Sequence, residues 1–285
     1  MSGIRVLADG RGLVESPRWH DGRLYFSDWS AGEVLAVDLA GRGEVIARVK
    51  SLPLCTAWLP DGRLVIVSSA DGLLLRREAD GSLVTHANLG ESGWNDIVAD
   101  GRSNIYVNRA GFNPVSGEEV RPGFVYRVGP HGGDAAGTAQ QAADDILFPN
   151  GMAVTADNST LIVADSYRNE LVAFTIGPDG ALSERRTWAH LGTGVPDGIC
   201  LDEQGACWYA DVPNKRCVRV AEGGTELAVI DLDRGGFACA LGGEENRTLF
   251  ITAAQWGGMT KGQMVAPGSG QVLAVDVDVP GAGWP

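Results

Sequence analysis

The feature that most restricts the fold of this chain is an internal repeat. A turn rich in Asp and Gly leads into an alternating strand, a second turn and a second strand, and the unit returns about forty residues later. Copies begin at Asp21 (DGRLYFSDWSAGEVLAVD), Asp61 (DGRLVIVSSADGLLLRRE) and Asp100 (DGRSNIYVNRAGF, continued by GFVYRV from Gly123). Others begin at Asp157 (DNSTLIVADSYRNELVAFTI), Glu203 (EQGACWYADVPNKRCVRV) and Glu245 (ENRTLFITAAQW), the last reaching its second strand, GQVLAVDV, only at Gly270; the count is six. Within each copy the apolar pattern has period two, with no helical stripe of useful length. Short strands at this spacing, about four to a repeat, predict an all-β, six-bladed β-propeller over residues 1–285 as one domain. A four-stranded sheet cannot bury both faces alone, so each stacks on its neighbours around a central channel, and ring closure protects the edges. A pair of β-sandwiches would not keep this register between copies.

Composition narrows the partners. The net charge of −13 argues against nucleic acid, which needs basic patches. No run of eighteen apolar residues occurs, so no membrane span is expected. The opening MSGIRVLADGRG lacks the apolar core of a signal peptide, and the expected compartment is the cytoplasm. Five cysteines, with no C-x-x-C pair, read as reduced, mostly buried thiols; Cys200 and Cys217 lie in apolar strand-like runs, unlike metal ligands. The sequence leaves the oligomeric state open.

Insertions interrupt the spacing at Gly111–Pro122, Gly129–Asp145 and Met259–Ser269. The second, rich in Gly, Ala and Gln, reads as a surface loop. The first and third are placed to lie over one channel mouth.

In a propeller, residues that begin the innermost strands face one another across the axis. Read copy by copy, these are Glu15, Leu54 to Thr56, Asn95, Asn150, Asp197 and Phe237 to Cys239. Each acid or amide has an ordinary explanation alone: Asn150-Gly151 and Asp197-Gly198 are turn dipeptides, Asn95-Asp96 could cap a turn, and Glu15 could be a solvated loop acid. Their coincidence at one repeat position points instead to a divalent cation held by oxygen atoms. Ca²⁺, Mg²⁺ or Mn²⁺ suits that donor set; Zn²⁺ is less favoured, because no His or Cys joins the four. The histidines His20, His86, His131 and His190 lie away from the channel position, and no G-x-S-x-G elbow, P-loop or dinucleotide fingerprint occurs.

The segments ESPRWHDGRLYFSD, FPNGMAVTADNSTLIVADS, VPDGICLDEQGACWYAD and FACALGGEENRTLFIT together resemble the SMP-30/gluconolactonase/luciferin-regenerating-enzyme (LRE)-like family, over about Leu13 to Val277. The resemblance implies a six-bladed propeller with one divalent cation, most often Ca²⁺, and a small-molecule lactone as substrate. It carries over Glu15, Asn150 and Asp197 as metal ligands. Asn95 matches a residue touching both metal and substrate, and Asp197 the general base of a metal-dependent lactonase. Asp96 is expected to orient its loop. Sugar-lactonase members carry an arginine two residues before the pocket asparagine; here that position is Gly93. Trp94 and Trp19 are therefore expected to give a more apolar, substrate-binding pocket, and Arg109 to restore a positive charge from a neighbouring strand. Two other readings remain open: a non-hydrolytic lyase, isomerase or cyclase on an enolisable carbonyl, and a non-catalytic metal-binding regulatory propeller.

Overall fold

A computed structural model of the chain describes residues 3–130, 139–259 and 264–283. His131 and the middle of two insertions, 131–138 and 260–263, lie outside the described residues. The described residues form a six-bladed propeller of four-stranded antiparallel sheets. From blade 1 to blade 6 the inner strands are Val14–His20, Leu54–Trp58, Trp94–Ala99, Pro149–Val154, Pro196–Leu201 and Gly235–Gly242. Each packs against the next, and that of blade 6 against that of blade 1, so the ring is closed. Among the described residues no helix is long and apolar enough to cross a membrane.

The repeat seen in the sequence is out of phase with the blades by one strand. Each copy begins at the turn after an inner strand: Asp21 follows His20, and Asp100 follows Ala99. The recurring aspartate has a local cause. The Asp100 Oδ1 accepts the backbone N–H groups of Arg102 and Asn104, and the Asp157 Oδ1 accepts that of Ser159. These Asx turns reverse the chain at the end of the channel away from Glu15 and Asp197.

Blade 6 draws on both ends of the chain. Its inner three strands, Gly235–Gly242, Thr248–Ala254 and Gly270–Asp276, are completed by Arg5–Arg11, with Arg11 opposite Gly270 and Arg5 opposite Ala274. This strand precedes the first sequence copy and carries too few apolar residues to announce itself. Gly129–Asp145, expected as a surface loop, is also corrected. Its last six residues belong to Gln140–Ile146, the outer strand of blade 3, where Gly123 pairs with Ile146 and Val125 with Ala143. An outermost strand buries little, so a Gln- and Asp-rich segment can fill the place with few apolar residues.

The core lies between blades. Val67, Trp94 and Ile105 fill the gap between blades 2 and 3, Leu171, Trp188 and Tyr209 that between 4 and 5, and Leu24, Phe26 and Phe250 that between 6 and 1. Phe250 is fully buried and stacks on Trp19 with centroids 5.3 Å apart. Truncating it leaves a cavity that no flexible element can fill. Phe250→Ala is expected to lower unfolding free energy by about 3–5 kcal/mol in chemical denaturation; a loss under 1 kcal/mol would contradict this account of the core.

Candidate site at the channel mouth

Five of the six inner strands carry a β-bulge near their first residues. Between Trp94 and Ile97, Pro149 and Met152, and Pro196 and Ile199, the inner strand has one residue more than its partner. The same occurs between Glu15 and Arg18 and between Gly236 and Ala238, while blade 2 stays regular. A bulge re-aims the side chains it contains. Asn95, Asn150 and Asp197 are the first residues of their bulges, which turns all three towards the axis at one depth.

Glu15 does not hold the same register. It pairs with Ser27 directly, and the residue in the position of Asn95 is Ser16. The expectation of strict equivalence is corrected there by one residue. Ser16 has a left-handed backbone (φ 53°), and its Oγ accepts the Thr56 N–H at 2.8 Å, tying blade 1 to blade 2. The longer Glu15 side chain reaches the cavity, 8% exposed, with Oε2 accepting the Ser16 N–H at 3.1 Å.

Close approach of the blades holds these groups in place. A Cβ on Gly151 would sit 2.6 Å from the Gly198 Cα, and one on Gly198 would collide with the Ala238 side chain. Only glycine lets the inner strands of blades 4, 5 and 6 touch through their backbones here. Asn95 Nδ2 donates to Asn150 Oδ1 at 3.2 Å, and Asn150 Nδ2 donates to Ser166 Oγ at 3.3 Å. Ser166 Oγ in turn donates to the Pro196 carbonyl at 2.6 Å. Blades 3, 4 and 5 thus share one hydrogen-bonded chain beneath the mouth.

A buried ion pair supports it, and the sequence reading missed its cation. The Arg18 Nη2 donates to the Ile97 carbonyl at 2.9 Å and lies 3.4 Å from Asp96 Oδ1. Asp96 Oδ2 accepts the Met152 N–H at 2.9 Å, and Asn108 Nδ2 donates to the Asn150 carbonyl. These bonds tie Asp96 to blades 1 and 4, and its side chain also lines the cavity. Arg18 was illegible because an arginine in an alternating strand reads as a solvent-facing residue.

The small cavity these groups enclose is lined by Glu15, Arg18, Asn95, Asp96 and Asn150, with Trp29 and Cys55 beside them. Its volume of ≈ 10 Å³ leaves room for one ion or water. Desolvation raises the Glu15 carboxyl to about 8, helped by the Asp96 charge and opposed by the Ser16 N–H and Arg18. Asp197 is pushed well above the usual carboxylate range by desolvation, then by the charges of Glu15 and Asp96. Desolvation also outweighs Arg18 at Asp96 and raises it. Crowded carboxylates of this kind, with amide oxygens beside them, are a donor set for a hard cation. Among the described residues no three His, Cys, Asp or Glu side chains form such a cluster, so any cation here would draw on the asparagines too.

The other expected site residues lie elsewhere. Trp94 is 1% exposed, packs edge-on against Tyr126, and donates its indole N–H to the Glu91 carbonyl, so it is core. Trp19 stands at the far end of the inner strand of blade 1 and lines a separate cavity of ≈ 240 Å³ with His20, Trp58 and Leu241. Arg109 lies on the mouth side with its guanidinium 5.5 Å from the Trp94 ring centre, but its Nη1 is 2.6 Å from Glu91 Oε2. Its charge is already matched. All five cysteines are free and buried.

A propeller with oxygen-bearing side chains gathered at one end of its channel defines the class, and comparison with known proteins defines the family. The chain belongs to the SMP-30/gluconolactonase/LRE-like family, whose profile matches residues 13–255. It is 33% identical over 156 residues to a 6-deoxy-6-sulfogluconolactonase of Pseudomonas putida, spanning 53% of this chain and about half (54%) of that one. It is 25% identical over 262 residues to a pentonolactonase of Haloferax volcanii, covering 89% and 86% of the two chains. In fold it matches the crystal structure of a calcium-binding regucalcin of Agrobacterium tumefaciens, with a TM-score of 0.79 at 20% identity over 99% and 96% of the chains.

Two measurements check the electrostatics. Arg18→Leu leaves Asp96 buried without its cation and is expected to cost about 3–5 kcal/mol, read by denaturant unfolding. In protein stripped of divalent cations, Glu15 holds its proton when folded but loses it when unfolded above its ordinary value of 4.5. Stability is then greatest below pH 4.5 with respect to this group and falls as pH rises towards about 8. Melting temperatures across that window should fall for the parent and flatten for Glu15→Gln.

Proposed function

We propose that this chain is a divalent-cation-dependent lactonase, a carboxylic ester hydrolase acting on a small lactone at the channel mouth. One observation carries the reading: Glu15 lines the small cavity with the amides of Asn95 and Asn150, and the half-buried Asp197 stands beside them, hydrogen-bonded to Asn150 and under the charge of Glu15. The lactonase names of several relatives support it. Glu15, Asn150 and Asp197, with Asn95 directly or through water, would hold the cation, with Ca²⁺ favoured over Mg²⁺, Mn²⁺ or Zn²⁺. When bound, such an ion polarises a carbonyl oxygen and makes a water molecule more acidic.

The chain's own residues supply the rest. Asp197, once ionised, accepts a proton from the attacking water at a carboxylate oxygen. The Asn95 amide, which now donates to Asn150, can turn an N–H to the oxygen on which charge develops. Water adds to the carbonyl carbon, the ring C–O bond breaks, and the ring oxygen leaves as an alcohol carrying the proton that Asp197 returns. Asp96 and Arg18 keep the bulge of blade 3 in position.

The test is hydrolysis of a lactone panel by cation-stripped protein with Ca²⁺, Mg²⁺, Mn²⁺ or Zn²⁺ added back. Turnover should appear only with added cation, and Asp197→Asn should lose at least about a thousandfold in kcat. Turnover that ignores both the cation and the Asp197 substitution would refute the reading.

A further inference from the structure

Part of the rim above the candidate site is apolar. Eight large hydrophobic side chains are exposed among the described residues. Four lie on or beside the outermost strands, where scattered apolar residues are ordinary. The other four, Leu52, Val120, Tyr167 and Met259, all lie on loops at the end of the channel that bears Asn150 and Asp197.

Three rings build a shelf there. Tyr167 stacks on Phe148 with centroids 4.6 Å apart and planes 14° from parallel, and Phe112 leans on both at 6.0 and 5.9 Å. Phe148 is two residues before Asn150, and Tyr167 follows Ser166, the hydroxyl that Asn150 contacts. Phe112 and Phe148 are buried, so the free face belongs to Tyr167, which is 41% exposed. The arginines of this rim are matched: Arg109 lies 2.6 Å from Glu91, Arg168 2.7 Å from Asp145, and Arg216 3.2 Å from Asp211. Beside the shelf these arginines present no open charge to an anionic ring, whereas a flat apolar ring finds a stacking surface.

We propose that the substrate is a lactone carrying an aromatic or other planar apolar group, which packs on the Tyr167–Phe148–Phe112 shelf while its carbonyl faces Asn95 and Asn150. This rests on the lactonase reading for the chemistry, and on the shelf alone for the substrate class.

The experiment compares dihydrocoumarin with glucono-δ-lactone as substrates, and coumarin as a binding probe, for the parent, Tyr167→Phe and Tyr167→Ala. The parent is expected to favour dihydrocoumarin by at least about tenfold in kcat/KM. Tyr167→Ala should raise KM for dihydrocoumarin about tenfold, with kcat and glucono-δ-lactone turnover little changed, and Tyr167→Phe should restore it. A general loss of fold would reduce both substrates alike. Equal or greater preference for glucono-δ-lactone, or a Tyr167→Ala enzyme with unchanged dihydrocoumarin KM, overturns the proposal. If no lactone is turned over, calorimetry with coumarin decides. Binding to the parent that Tyr167→Ala abolishes sustains the shelf while removing the hydrolase reading; no binding removes the shelf as well.

Discussion

Everything near the channel depends on how closely the inner strands can approach one another. Gly151 against the inner strand of blade 5, and Gly198 against Ala238, let three blades meet with nothing larger than a methyl group between them. That contact narrows the channel until acids and amides from separate blades share one small space. The price is electrostatic: burial raises the proton affinity of Glu15, Asp96 and Asp197, the Asp96 charge adds to it at Glu15 and the Glu15 and Asp96 charges add to it at Asp197, while Arg18 offsets part of it at Glu15 and Asp96. Like charges kept together under desolvation are costly in any fold, and persist where a positive group offsets them.

The polar chain through Asn95, Asn150, Ser166 and Pro196 links three blades, and the bond from Thr56 to Ser16 links two more. The channel end is therefore rigid in a way that a loop-built site would not be. Precision comes from sheet backbone, and variability is left to the loops above it, where Phe112, Tyr167 and Met259 sit.

The blade count was legible in the sequence because a tight polar turn follows each inner strand at a fixed offset, an Asx turn in four of the six at Asp61, Asp100, Asp157 and Asp202. The gathering of Asn95, Asn150 and Asp197 at one end was legible for the same reason. The bulges were not: an extra residue in one strand leaves no mark in an alternating pattern, so Glu15 was assigned a position that Ser16 occupies. Trp19 was misjudged by direction. It stands four residues beyond Glu15 on the same strand, and at about 3.3 Å per residue that carries it some way towards the opposite end of the channel. Trp94 precedes a site residue and so points the other way, into the gap between blades 2 and 3, as neighbours in a strand do.

The strand Arg5–Arg11 seals the last blade by pairing with Gly270–Asp276. Blades 1 to 5 lie between these two strands in the sequence. The ring, and with it the meeting of blade 1 with blade 6, closes through a pairing of high sequence separation, the kind that is slow to form. Two strands far apart in sequence thus lie side by side in one sheet, while residues 280–282 run on to blade 5, where Gly281 bridges to Asp202. A short bridge from Asp276 to Arg5, whose side chains lie 3.5 Å apart, with the backbone opened at an Asx turn such as Asp100–Asn104, would move the seam to another blade and leave the channel mouth as it is.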